Sequence, residues 1–158
     1  MNGGANNVNV LVVGVGNAYR GDDAAGIAVA RHLRAQVEPC VRVIELGGEA
    51  AGLAESWKGA DSVIVVDAIQ SGAPPGSIRR FDARTDRIPR EIFGRSTHDF
   101  GLAAAIELAR ALNELPPRLV IYAIEGEDFT PREKLSSRVE EAVESVAEEI
   151  LSESSRLE

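Results

Sequence analysis

Aromatic side chains are scarce in this chain: four Phe, two Tyr and one Trp in 158 residues. A core must then be built from Val, Ile, Leu and Ala, which suits a sheet flanked by alanine-rich helices. Cysteine is rarer still. The single Cys40 excludes an internal disulfide and any C-x-x-C metal site, and it reads as a small apolar residue at the start of a strand. Long apolar runs are missing, none approaching the roughly 18 residues of a membrane span. The opening "MNGGANN" has neither a basic segment nor an apolar stretch, so residues 1–7 read as a flexible lead-in and not as a secretory signal. Positive charge is in deficit, with 17 Lys and Arg against 25 Asp and Glu and a formal net charge of -8. That balance argues against nucleic acid and against an anionic membrane surface as partners. These absences together point to the cytoplasm. The length suits a single domain, 1–158, with 152–158 expected as a loose tail.

What is present is an alternation of strands and helices. "VNVLVVGVG" (8–16) and "DSVIVVDAI" (61–69) are nearly unbroken apolar runs, as strands buried on both faces should be. "VRVIEL" (41–46) and "PRLVIYAIE" (117–125) add two more. Helices are expected over Asp22–Val37, stopped by Pro39, over 49–57, over 96–112 and over 133–151. The stretch "SGAPPGSIRRFD" (71–82) carries turn chemistry and then a short strand whose prolines and arginines mark an edge. This order implies a three-layer α/β/α sandwich with a mainly parallel sheet. In such sheets the working residues lie beyond the carboxyl ends of the strands, where the strand order reverses.

Three places there could carry chemistry. The first is "GVGNAYRGDDAAG" (14–26). Its glycines invite a dinucleotide reading, but position 19 is Tyr where G-x-G-x-x-G needs glycine. Asp22 and Asp23 would also repel a phosphate from the helix start. One aspartate suffices to cap a helix, and Asp22 is the expected cap. Gly14 and Gly16 are expected to turn the chain out of the strand. The second place is Asp67, which closes an apolar run and either caps the following turn or forms part of a site. The third is His98. Ser96 and Asp99 have the spacing of a helix start, so His98 would sit in a first turn whose dipole keeps it neutral and able to bind a metal. His32, without a partner at useful spacing, reads as a surface residue. Two carboxylates and one imidazole make a mixed O/N set that leaves coordination positions open. Spacing alone does not name the metal.

At this point the chain resembles the hydrogenase maturation endopeptidases, which remove the C-terminal extension of the nickel–iron hydrogenase large subunit. "GVGNAYRGDDAAG" is similar to the family's G-x-G-N-x-x-x-x-D-[DE]-x-x-G motif, and "VIVVDAIQSGAPPGSI" to its central segment. "STHDFGLAAAIELA" resembles its S-x-H-x-x-G-L helix start, and "IYAIEGEDF" its last strand and loop. Ala24 and Asp99-Phe100 depart from common family choices without removing a ligand. The resemblance implies a phosphorylase/hydrolase-like fold, with a five-stranded mixed sheet whose short fourth strand is antiparallel at an edge. It implies a metal-binding trio of Asp23, Asp67 and His98, with Asp23 and Asp67 also the catalytic candidates. It implies nickel carried by the substrate, no tightly bound organic cofactor, and the large-subunit precursor as partner. Asp67, Asp23 or a metal-bound water could each supply the base, and the resemblance leaves the three open.

Two readings from other classes compete. A phospho-receiver also groups acids after its first and third strands, but it needs a lysine after the last strand, where "YAIEGEDF" offers only acids. A non-catalytic nickel chaperone would hold the metal without substrate. The locally basic "RRFDARTDRIPREIFGR" (79–95) reads as a solvated edge, with Arg84, Arg87 and Arg90 as an alternative docking surface for the precursor.

Overall fold

β1, Val10–Val15, is buried at every position, as an unbroken apolar run in a parallel sheet requires. The structure is a computed structural model that describes residues 8–37, 40–47, 52–93 and 101–156. β3 (Ser62–Ile69) is also buried throughout, and β5 (Arg118–Glu125) is buried after its first residue. β2 (Val41–Leu46) and β4 (Ile78–Asp82) are more exposed and form the two edges of one five-stranded sheet, in the order β2-β1-β3-β5-β4. β1 pairs parallel with both β2 and β3, and β3 pairs parallel with β5. β4 runs antiparallel to β5. The mixed sheet with an antiparallel fourth strand at its edge is therefore as expected.

Alternation along each strand sends side chains to two separate cores. Val10, Val12, Ile64 and Val66 meet α1 (Ala25–Arg34) and α5 (Ser137–Arg156) on one face. Leu11, Val13, Val63 and Val65 meet α2 (Leu53–Ser56), α3 (Arg90–Phe93) and α4 (Leu102–Ala111) on the other. This is the three-layer α/β/α sandwich.

Gly14 and Gly26 set how close α1 lies to the sheet. Gly14 is inside β1, not in the turn after it, and a methyl group there would overlap the Gly26 carbonyl oxygen and crowd the Ala30 Cβ, 2.8 Å away. A methyl group on Gly26 would overlap the Val66 carbonyl oxygen, with Val15 O 2.5 Å away. The start of α1 thus rests on the backbones of β1 and β3, which no other residue pair would allow.

Three helix boundaries differ from expectation. The first helix is preceded by a 3-10 turn, Gly21–Ala24, entered through Gly21 at φ +54. α4 opens at Leu102 behind an extended Gly101 N-cap, and Ser96, His98 and Asp99 lie outside the described residues. α5 does not leave 152–156 as a loose tail: it runs to Arg156. Ser154 Oγ donates to Ile150 O at 2.9 Å and Ser155 Oγ to Leu151 O at 2.9 Å, while Glu153 accepts Arg80. Those serines return to the preceding turn, so a polar stretch that reads as a tail stays helical. Residues 157–158, like the 1–7 lead-in, lie outside the described residues.

Candidate active site

The strand order places β1 and β3 side by side while the chain leaves β1 toward β2, so the sheet reverses direction between them. The carboxyl ends of these two strands frame the crevice where α/β sheets bind ligands. Asp23 and Asp67 arrive there from opposite sides.

Asp23 sits in the 3-10 turn that follows β1. Gly16 makes the approach possible, because at φ +150 a side chain there would overlap the Asp23 carbonyl oxygen. Asp23 Oδ2 then accepts the Asn17 N–H at 3.0 Å, which ties the loop to the turn. The carboxylate is half-buried.

Asp67 is the sixth residue of β3, opposite Ala123 of β5. Its register puts it on the face covered by α2, α3 and α4. It is 8% exposed. Its one described hydrogen bond accepts the N–H of its own neighbour Ala68, at 2.8 Å. Burial raises its pKa well above the usual carboxylate range, and the charge of Asp23 raises it further, against a small opposing effect of the Ala68 N–H. Two carboxylates that feel each other, one short of hydrogen bonds, are a common signature of acid–base or metal chemistry.

Asp22 does something different from its expected role. It makes no capping hydrogen bond to either the 3-10 turn or α1. Its carboxylate is fully buried and turns away from Asp23 to the loop between β5 and α5. There it accepts the N–H groups of Glu127 at 2.8 Å, Asp128 at 2.9 Å and Ser136 at 2.8 Å, and the Ser136 hydroxyl at 2.7 Å. Burial would raise its pKa, but these donors outweigh it and hold the carboxyl below its ordinary value. The backbone adds further ties, from Asp22 N–H to Asp128 O at 2.8 Å and from Gly21 N–H to Arg132 O at 2.8 Å. Asp22 is therefore a clamp that fixes the turn carrying Asp23.

A fourth acid, Glu125, is absent from the residues that the sequence singles out. It ends β5 at 2% exposure and accepts Ser71 N–H at 2.8 Å, Ser71 Oγ–H at 2.7 Å and Gly72 N–H at 3.0 Å. The signal for it is present all the same, since Glu125, like Asp67, is a charge that closes a buried apolar run. Its donors make it the anchor of the loop after β3.

His98 lies outside the described residues. The chain on either side of 94–100 is packed on the same face as Asp67, through Phe93 and Leu102. Among the described residues no group of three His, Cys, Asp or Glu side chains is arranged to hold a metal ion; Asp23 and Asp67 supply two oxygen donors. Of the three arginines, Arg84 N–H bonds Asp82 in the turn where Ala83 N–H reaches Leu119 O, at the opposite end of the sheet from Asp67. Arg90 opens α3, whose Ile92 carbonyl accepts Gln70 N–H at 3.4 Å just beyond β3. Among the described residues no helix is long and apolar enough to cross a membrane.

Comparison with known proteins adds to this geometry. The hydrogenase maturation protease family model matches residues 27–153, a span that includes Asp67 and His98 and begins beyond Asp23. HupD, a hydrogenase expression/formation protein of Thiocapsa roseopersicina, is 27% identical over 148 residues, covering 88% of this chain and 66% of that protein. The chain thus spans about two thirds of that relative's length. Among solved structures, the hydrogenase maturating endopeptidase HybD from E. coli superposes with a TM-score of 0.75 at 25% identity, over 91% of this chain and 90% of the other. The NiFe hydrogenase maturation protease HycI from Thermococcus kodakarensis KOD1 gives 0.74 at 26% identity, over 92% and 91%.

Proposed function

The chain belongs to the hydrogenase maturation protease family and is a peptidase; from that premise we propose that it removes the C-terminal extension of a nickel–iron hydrogenase large-subunit precursor once nickel is in place. The nickel is the substrate's cargo, and the site reads it. Asp23, Asp67 and His98 offer two carboxylates and an imidazole, a set suited to a divalent ion with open positions and lacking the thiolates of a permanent soft site. A precursor without nickel presents nothing for these groups to hold, so its scissile bond is not brought into register.

The observation that carries this reading is the convergence of Asp23 and Asp67 at the reversal point between β1 and β3, close enough for the charge of one to oppose ionisation of the other. A cation between them relieves that opposition. Asp67, the more deeply buried of the two carboxylates, serves as the base. It takes a proton from the attacking water as the oxygen adds to the scissile carbonyl carbon. It returns that proton to the amide nitrogen as the C–N bond breaks, leaving a new carboxyl terminus and a free amine on the extension. The work takes place in the cytoplasm.

The test mixes the protein with nickel-loaded and nickel-free precursor and weighs the products. Loaded precursor should lose its extension and nickel-free precursor should remain whole. Asp23→Asn, Asp67→Asn and His98→Ala should each leave the loaded precursor uncut. Equal cleavage of both precursors would sink nickel recognition, and native rates in all three variants would remove these residues from the reaction. An unchanged pH–rate profile in a residually active Asp67→Asn enzyme would move the base elsewhere.

A further inference from the structure

Among the described residues Tyr19 is the most exposed large apolar side chain, at 68%, and it stands on a loop that hydrogen bonds hold from both sides. Tyr19 N–H donates to Asn17 Oδ1 at 2.9 Å, and Tyr19 O accepts Arg132 N–H at 3.0 Å. Arg20 N–H returns to Asn17 O at 3.2 Å, and Gly16 N–H bonds Leu46 O at 3.1 Å. The ring is thus displayed in water by a backbone with little freedom to retract it. Beside it runs a groove of about 280 Å³, small for a drug-sized ligand and suited to one or two side chains of a longer chain. Asn17, Ala18, Tyr19, Ile27, Leu46 and Gly47 line it.

Three observations say what the groove would take. Its lining is mainly apolar apart from Asn17 and Glu45, and Glu45 is already paired with Arg31 at 3.1 Å and Arg34 at 2.9 Å. It ends at the candidate active site, because Asn17 in its wall donates to Asp23. Its far wall is the carboxyl end of β2, an edge strand hydrogen-bonded only to β1 among the described residues. An extended peptide with a neutral apolar side chain matches all three, since the open edge offers main-chain partners and the groove offers a pocket for one side chain.

We propose that this groove is the subsite for the substrate's extended segment next to the scissile bond, with the Tyr19 ring packed on its apolar side chain. The proposal rests on the peptidase reading above and adds the place where the peptide lies. Tyr19 is a specificity-determining residue in it, not a catalytic one.

Gly47 supplies a clean probe. Its φ is not in the left-handed region, and a Cβ built there meets nothing within 4 Å among the described residues. Gly47→Trp should therefore fold and fill the groove, while Tyr19→Ala removes the anchor. Steady-state cleavage of nickel-loaded large-subunit precursor is measured for the wild type, both variants and Leu112→Ala, a control at another exposed apolar residue. Thermal melts check folding. Wild-type cleavage tests the reaction itself. Given that, KM should rise roughly tenfold or more in both groove variants, as loss of a binding anchor does. The kcat should stay within about threefold, since neither residue touches the reacting atoms. Leu112→Ala should match the wild type. KM values unchanged in both groove variants, with the wild type active, overturn the subsite.

Discussion

Asp22 and Asp67 are both buried carboxylates at the same end of the sheet, yet their surroundings differ in kind. Asp22 receives four hydrogen bonds from one loop and is held ionised. Asp67 receives one, from its own neighbour, and faces the charge of Asp23. Burial by itself therefore does not single out a candidate working acid; among the described residues it is the shortage of donors that sets Asp67 apart. The satisfied carboxylate holds the turn that carries Asp23, while Asp67 has the perturbed setting that marks a candidate acid.

The contrast can be broken at its strong side first. Asp22→Asn keeps the shape but replaces one acceptor oxygen by an NH2, which then faces either the single donor at Oδ1 or the three at Oδ2. It should cost about 3–5 kcal/mol, because buried N–H groups lose their acceptor, and urea unfolding would measure it. A cost below about 1 kcal/mol would show that the clamp is dispensable. Next is the spacing between the two acids at the site. Gly26→Ala forces α1 away from the Val66 and Val15 carbonyls and should cost about 2–3 kcal/mol. It should also slow precursor cleavage although every acid is retained.

Asp67→Asn should act in the opposite sense from Asp22→Asn, stabilising the fold while abolishing cleavage. Because the folded pKa is raised, the wild type loses stability as pH climbs from the ordinary carboxylate value, about 3.9, through the folded value. The variant should melt roughly 2–4 °C higher at neutral pH, equivalent to about 1 kcal/mol in a chain of this size. That gain should vanish in acid. For Asp22 the sign reverses. Its folded pKa is lowered, so its contribution is complete above the ordinary value and is lost as pH falls through the folded one. Melting curves of both variants from pH 7 to pH 3 would separate the two behaviours. The smallest effect belongs to an ion pair with a partly exposed arginine. Glu153→Gln, which releases Arg80 and Arg118, should cost about 0.5–1 kcal/mol and less in high salt.

Much of this is legible in the sequence because its signals are local. The runs that form β1, β3 and β5 are unbroken, and the arginines and prolines of 71–82 announce an edge. Asp67 stands out because a charge at the end of an apolar strand is costly to bury unless it has a partner or a task. Asp22 is misread for a physical reason: its donors are 105 to 114 residues away, and nothing beside it in the chain announces them. A helix cap is the only local partner on offer. The end of α5 is misread because serines that bond back to their own helix have the composition of a tail. Glu125, a charge at the end of an apolar run, carries the same signal as Asp67, although the sequence reading passes it over.

The reach of Asp22 also orders events in time. The turn that carries Asp23 is made before Ser136, which donates twice to Asp22 from 114 residues further along the chain. Until then Asp22 lacks those two donors. The clamp on the turn of Asp23 is therefore completed only once the segment leading into α5 is in place.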